Sequence, residues 1–312
     1  MHIGLLLFYL IITLIAPIFM VGMINRVKSI WAGRRGPNLN QLWYDLLRLL
    51  RKTPVYSQDT SWIFPYAPLV VLSITICASL LTPVLPGYAV LAFPGDFIVF
   101  AYLLGLGRVA MMLGALDTAS AFEGMGASRE ATYSAITEPV LLLAVATLGC
   151  LNNTMTFQDL VAAGSRTDID LAVRFAIVMG LFVVLLIESS RVPADDPATH
   201  LELTMVHEVM ILDHSGPELA IMQYASAMKM TLFALVISAV INPFDSAGSG
   251  SLPILGMAAT LVLLVAIAGI VGIIESLVAR LRFRALPMFV LSAFVVVSIA
   301  LVVVVAHQGG LR

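Results

Sequence analysis

Cysteine is almost missing from this chain: 312 residues contain two, Cys77 and Cys150, each inside or at the end of an apolar run. A disulfide framework is therefore excluded, and so is a set of thiolates for zinc or an iron–sulfur cluster. Any redox centre the protein works with must belong to another chain. Charge is scarce as well, because Asp, Glu, Lys and Arg make up only 12% of the residues, about half the usual share. The net charge of -2 and a pI near 6.2 give no reason to expect nucleic acid as a partner. No glycine pattern for a dinucleotide or a P-loop occurs.

What the chain has instead is apolar length. Hydrophobic residues make up 60% of it, and the mean hydropathy is +1.00, well beyond the soluble range of about 45–50% apolar. Eight runs are long enough to span a bilayer, at roughly 3–25, 62–85, 97–117, 128–151, 169–190, 217–241, 252–278 and 285–306. The expected fold is an all-α integral membrane protein. No connection is long enough to fold alone, so residues 1–312 read as a single polytopic membrane domain. The first run lacks a basic leader and a small-residue cleavage site, which predicts a retained helix.

Lysine and arginine divide unequally between the connections, with 12 in the odd-numbered ones and 3 in the even-numbered ones and the C-terminus. The positive-inside rule then puts the odd-numbered connections in the cytoplasm and both termini outside it. The first connection carries a second element over residues 39–52. Its Leu39, Leu42, Trp43, Leu46 and Leu49 recur near helical spacing, with Asn40, Asp45, Arg48 and Lys52 mainly on the other side. It is either a helix lying on the lipid headgroups or one wall of a cavity at the membrane surface. Arg34-Arg35-Gly36-Pro37-Asn38 forms a basic turn before it.

The acids are concentrated. Seven of the 19 lie between Glu188 and Glu218, namely Glu188, Asp195, Asp196, Glu202, Glu208, Asp213 and Glu218. Three of the five histidines, His200, His207 and His214, share that stretch. Their spacing of seven is not that of an H-x-x-x-H metal pair, so no metal site is expected. Inside the spans stand Arg108, Asp117, Glu130, Glu138, Lys229 and Glu275, with Glu123 just before the fourth. Glu130 and Glu138 fall about 80° apart around a helix, on loosely the same face. Ionisable groups at membrane depth need partners or a wet cavity, and a string of acids suits a proton path. Glu123, Glu130, Glu138, Glu188, Glu202, Lys229 and Glu275 are the path candidates. The spans show no inverted repeat or paired broken helices, which argues against a free-standing secondary transporter.

R-R-G-P-N with the following D-x-x-R-L (Asp45, Arg48, Leu49), L-D-T-A-S-A-F-E-G-M-G-A-S-R-E (Leu116 to Glu130) and E-x-x-R-x-P-x-D (Glu188, Arg191, Pro193, Asp195) resemble the heel subunit of respiratory complex I and of membrane-bound nickel-iron hydrogenases. The G-A-S-R-E-A segment resembles most the formate hydrogenlyase and hydrogenase-4 branch. The resemblance implies a subunit of a prokaryotic plasma-membrane oxidoreductase complex without redox centres or cofactors of its own. Its partners would be soluble iron–sulfur and hydrogenase-like large subunits and antiporter-like membrane subunits, with iron–sulfur clusters and a nickel-iron centre held by those partners and quinone as an alternative substrate. Arg34, Arg35, Asp45, Arg191, Asp195, His207, Glu208 and Asp213 become cavity or docking residues, and the membrane acids become a funnel for protons. One departure stands out: where the family pattern P-F-D-L-x-E-G-E-S-E-L carries acids, this chain has Ala198 and His200, keeping only Glu202. A quinone-site subunit of an NADH-quinone-oxidoreductase-like complex is the alternative implied.

Overall fold

The computed structural model describes residues 2–162, 168–195, 205–244, 253–282 and 285–310. Among them, eleven helices follow one another: α1 (His2–Trp31), α2 (Gln41–Leu50), α3 (Ile63–Leu81), α4 (Asp96–Asp117), α5 (Ala121–Asn152), α6 (Phe157–Leu160), α7 (Asp168–Glu188), α8 (His207–Met210), α9 (Gly216–Ile241), α10 (Pro253–Leu277) and α11 (Leu286–Gly310). Eight of these, all but α2, α6 and α8, are long and apolar enough to cross a membrane. The chain is an all-α, multi-pass membrane protein, and each span overlaps the run expected from hydropathy. Alternation puts the connections around 32–62, 118–120, 189–215 and 278–285 on one side, here the loop side, and both ends of the chain on the other.

α9 is the central helix. It packs against α1, α2, α3, α7 and α10, and every residue from Met230 to Val240 is buried. Apart from Thr231 and Ser238 its sequence is apolar in that half, the pattern of a helix surrounded by other helices. The outer helices instead leave Leu, Ile, Val and Phe exposed, for instance Ile15, Val109, Val262 and Val302, which is the surface a lipid solvent accepts. Small residues allow the close crossings: a Cβ on Gly114 would lie 2.9 Å from the Ala67 methyl, so α3 and α4 meet there at glycine.

The amphipathic element forms, as α2, somewhat shorter than its 39–52 pattern. Leu46 and Leu49 are buried against Ala220, with Leu42, Leu219 and Tyr224 around them. Trp43, Tyr44, Leu47 and Leu50 are exposed. The helix is thus fixed on the loop end of α9 and still offers an apolar outer surface. Gly216, at φ +55, begins α9 where the Lys52 carbonyl would sit 3.0 Å from any Cβ. Val55 N–H donates to Ser215 Oγ at 2.9 Å beside it.

Candidate functional site

The site is built where α7 stops. Ser190 takes a left-handed φ of 50; its N–H donates to the Ile187 carbonyl at 3.0 Å, and the Arg191 N–H reaches back to Leu186 at 2.8 Å. These are the two bonds of a Schellman ending, here on serine in place of glycine. The helix therefore terminates directly after Glu188 and sends Arg191 off in a new direction. Glu188 meets Lys229 at 2.8 Å. Since Lys229 lies 13 residues beyond the start of α9 at Gly216, α7 ends about 20 Å below the loop end of α9. Ser189, Arg191, His207, Glu208 and Ile211 line the space this leaves beside α9.

Around Glu188 the intramembrane charges pair off. Arg108 of α4 contacts Glu188 at 2.6 Å and Glu138 of α5 at 2.6 Å, so one guanidinium ties three helices, and Lys229 adds a fourth. The Arg108 and Glu188 side chains are 5% and 6% exposed, whereas Glu138 is 37% exposed. Buried Glu130 lies within electrostatic reach of Lys229, Glu188 and Arg108. Each charge thereby gains the opposite partner that membrane depth demands.

A second cluster sits nearer the loops. Glu275 of α10, its side chain fully buried, is held by Lys28 of α1 at 2.8 Å and by Arg191 at 3.3 Å. Close in sequence, Arg280 contacts Asp195 at 3.2 Å. The other Asp195 oxygen accepts the N–H groups of Val206 at 2.9 Å and His207 at 3.2 Å, so it pins the start of α8. Arg129 donates to the Met205 carbonyl at 2.8 Å from α5.

Two cavities lie between these clusters. A loop-side cavity of about 310 Å³ is walled by α1, α2, α9 and the stretches 189–191 and 207–211; its polar lining includes Lys28, Asp45, Arg191, His207, Glu208 and Ser226. A smaller chamber of about 30 Å³ is lined by Arg108, Glu188, Lys229, His207 and Ser226 among apolar neighbours. His207 is neutral near pH 7: burial, helped by the positive charge of Lys229, lowers its pKa to about 4.

The remaining candidates separate. Glu123, fully buried, forms a third group: it accepts from the Thr118 hydroxyl and from the Asp213 N–H at 3.1 Å. Asp213 itself is exposed and lines neither cavity. Asp117 caps α3, accepting the N–H groups of Ser61 at 2.8 Å and Phe64 at 3.2 Å, a structural role. Arg34 and Arg35 are exposed on the loop side, away from the ion pairs. His214 stacks on Phe64 with ring centroids 4.0 Å apart and contacts Glu218 at 3.3 Å; burial lowers its pKa, against the pull of Glu218. Asp196, His200 and Glu202 lie outside the described residues.

The expected string of acids is therefore three groups, of which the Glu130–Glu138–Glu188–Lys229 group and Glu275 flank the cavities and Glu123 stands apart. Lys28 and Arg280 read only as topology signals in the sequence, and no local pattern announces Ser226. Arg108 carries a signal, since a cation at mid-span requires a partner, but which two acids it joins is a matter of helix packing.

Comparisons with known proteins agree with this architecture. Residues 3–306 match the family described as NADH dehydrogenase. The chain is 27% identical over 278 residues to hydrogenase-4 component C of Escherichia coli K12, covering 88% of this chain and 86% of that protein. It is 24% identical to formate hydrogenlyase subunit 4 of the same organism, covering 91% and 92%. A subunit of the NADH-quinone oxidoreductase of Caulobacter vibrioides is 23% identical over 68% of this chain and 65% of its own length. The fold is that of a chain in the structure of the membrane-bound sulfane sulfur reductase, an archaeal respiratory membrane complex, with a TM-score of 0.80 at 20% identity over 96% of this chain and 99% of that one. The eight-span chain is thus a membrane member of the NADH dehydrogenase family, with hydrogenase-4 and formate hydrogenlyase subunits among its relatives.

Proposed function

We propose that this chain is the non-redox anchor and coupling subunit of a complex-I-like oxidoreductase of the membrane-bound hydrogenase or formate hydrogenlyase type. The observation that carries the reading is the chain of ion pairs at membrane depth, Glu138–Arg108–Glu188–Lys229, beside a polar cavity at the loop end of the helices. The loop side faces the cytoplasm by its excess of basic residues, and there Arg34, Arg35 and the outer surface of α2 dock a soluble arm that carries the iron–sulfur clusters and the catalytic metal. Asp45, Arg191, Asp195 and Glu208 shape the cavity under that arm. A change of charge in the cavity alters the protonation of Glu188 and its neighbours, and antiporter-like membrane subunits sense it on the far end of the cluster.

Each acid of the path is replaced by its amide to test this. Glu138→Gln and Glu188→Gln keep shape and most hydrogen bonds while removing the ionisable proton. Complexes carrying either should assemble and transfer electrons through the soluble arm, yet move fewer ions per electron across sealed vesicles. A wild-type ratio of ions to electrons in both variants would make these carboxylates structural partners only.

A second reading keeps the same site but places a quinone headgroup in the loop-side cavity, which has the volume and the mixed polar lining for a ring of that size. Reduction of a water-soluble quinone by the intact complex, abolished by Arg191→Ala, separates this reading from the first.

A further inference from the structure

Among the described residues, the two cavities are separate spaces that share only His207 and Ser226 in their linings. His207 occupies the boundary with part of its surface on the loop-side cavity, while its Nε2 is enclosed and has no hydrogen-bond partner among those residues. A buried imidazole nitrogen without a partner is costly unless water or a ligand completes it. The chamber of about 30 Å³ beyond it has room for one water, and Arg108, Glu188, Lys229 and Ser226 supply the polar partners such a water needs.

We propose that His207 transfers protons between the loop-side cavity and the Arg108–Glu188–Lys229 chamber, one ring nitrogen serving each side and a chamber water completing the link to Glu188. The inference rests on the coupling role proposed above and names the residue through which that role is exercised. The transfer balances: a proton enters the cavity-side water from the loop-side solvent and passes to one ring nitrogen as the other nitrogen gives up its own to the chamber water, which passes a proton on to the Glu188 carboxylate, so each water ends neutral. The ring ends neutral, as the opposite tautomer, and a ring flip or the reverse transfer resets it.

The surroundings favour this use. His207 is held in place by its backbone N–H on Asp195 at 3.2 Å, which is in turn fixed by Arg280. Lys229 and Ser226 from α9, Arg108 from α4 and Glu188 from α7 line the chamber beside it. Lys28 from α1, Asp45 from α2, Arg191 and Glu208 line the cavity. Burial and the field of Lys229 keep the resting ring neutral, and only the neutral ring has one donor and one acceptor nitrogen. Ser226 sits at the same boundary.

The test uses the intact complex in sealed vesicles, with ions moved per electron as the measure. His207→Gln preserves volume and hydrogen bonding but has no tautomer to exchange, and His207→Ala opens space on the cavity wall. Both should lower the ratio about tenfold or more, since loss of a proton-transfer group slows the transfer by roughly 10²–10⁴-fold while the soluble arm still passes electrons. Added imidazole should restore His207→Ala and leave His207→Gln unchanged, because glutamine fills the gap. A wild-type ratio in His207→Gln, or no restoration of assembled His207→Ala by imidazole, overturns the relay. Glu138→Gln and Glu188→Gln run in parallel separate the two claims: if both keep the wild-type ratio the coupling role itself fails, whereas if Glu188→Gln loses the ratio and His207→Gln does not, only the relay fails.

Discussion

Arg108→Met is the sharpest test of the ion-pair core. The substitution retains an unbranched apolar stem and removes the cation shared by two carboxylates, each 2.6 Å away. A charge pair at an effective dielectric constant near 20 is worth about 4 kcal/mol before desolvation is counted. The Glu138 contact is discounted, because its side chain is 37% exposed and water replaces much of what is lost. Glu188, 6% exposed, has no such recourse but keeps Lys229 at 2.8 Å. The net cost is then about 3–5 kcal/mol, the range for stripping one partner from a buried pair. At roughly 2–3 °C per kcal/mol this lowers the midpoint of thermal unfolding in detergent by on the order of 10 °C, read by fluorescence-detected size exclusion. The ion pairs around Arg108 join two acids to two cations, so Arg108→Met leaves an excess negative charge that Glu138→Gln removes. The double variant should therefore be more stable than Arg108→Met alone, with a coupling of about 1 kcal/mol or more. A shift below about 2 °C for the single variant, or strictly additive losses, would refute the shared-cation account.

Three further outcomes are expected. Stability should fall as pH drops from about 6.5 toward 4: folded His207 has its pKa lowered to about 4, so the unfolded chain binds the extra proton in that window, and the loss from this one group reaches about 3 kcal/mol; His207→Gln should flatten that part of the curve. Gly216→Ala should cost about 1–3 kcal/mol, because φ is +55 and the Lys52 carbonyl lies 3.0 Å from the new Cβ, and limited proteolysis should then cut the 52–60 connection faster. Arg34→Ala with Arg35→Ala should leave the midpoint of the membrane part unchanged, since both side chains are exposed, while iron–sulfur protein retained on washed membranes drops several-fold; full retention would remove these residues from the docking surface.

Hydropathy alone determined the spans, because a continuous apolar run of about 20 residues crosses a bilayer core of about 30 Å with its backbone satisfied as a helix, whereas barrel strands are about half that length and alternate in polarity. The same constraint made Arg108, Glu138, Lys229 and Glu275 conspicuous one by one, since charge at that depth is never incidental. The pattern of α2 was legible too, although its register against Ala220 and Leu219 of α9 was not. What sequence could not supply was pairing. Glu138, Arg108, Glu188 and Lys229 lie on four helices separated by up to 121 positions in the chain, from 108 to 229, and only the packing around α9 decides that they meet. The Schellman turn on Ser190 carries no glycine to advertise it, yet it sets the depth of Glu188 and the direction of Arg191. Glu123 looked like a link in the same acid string but is drawn off by Thr118 and Asp213. Lys28 looked like one more basic residue at a membrane face until α1 crossed α10 beside Glu275. Periodicity is a one-dimensional property of each helix and survives in sequence; which faces of different helices share a cavity is fixed by their crossing, and that exists only in three dimensions.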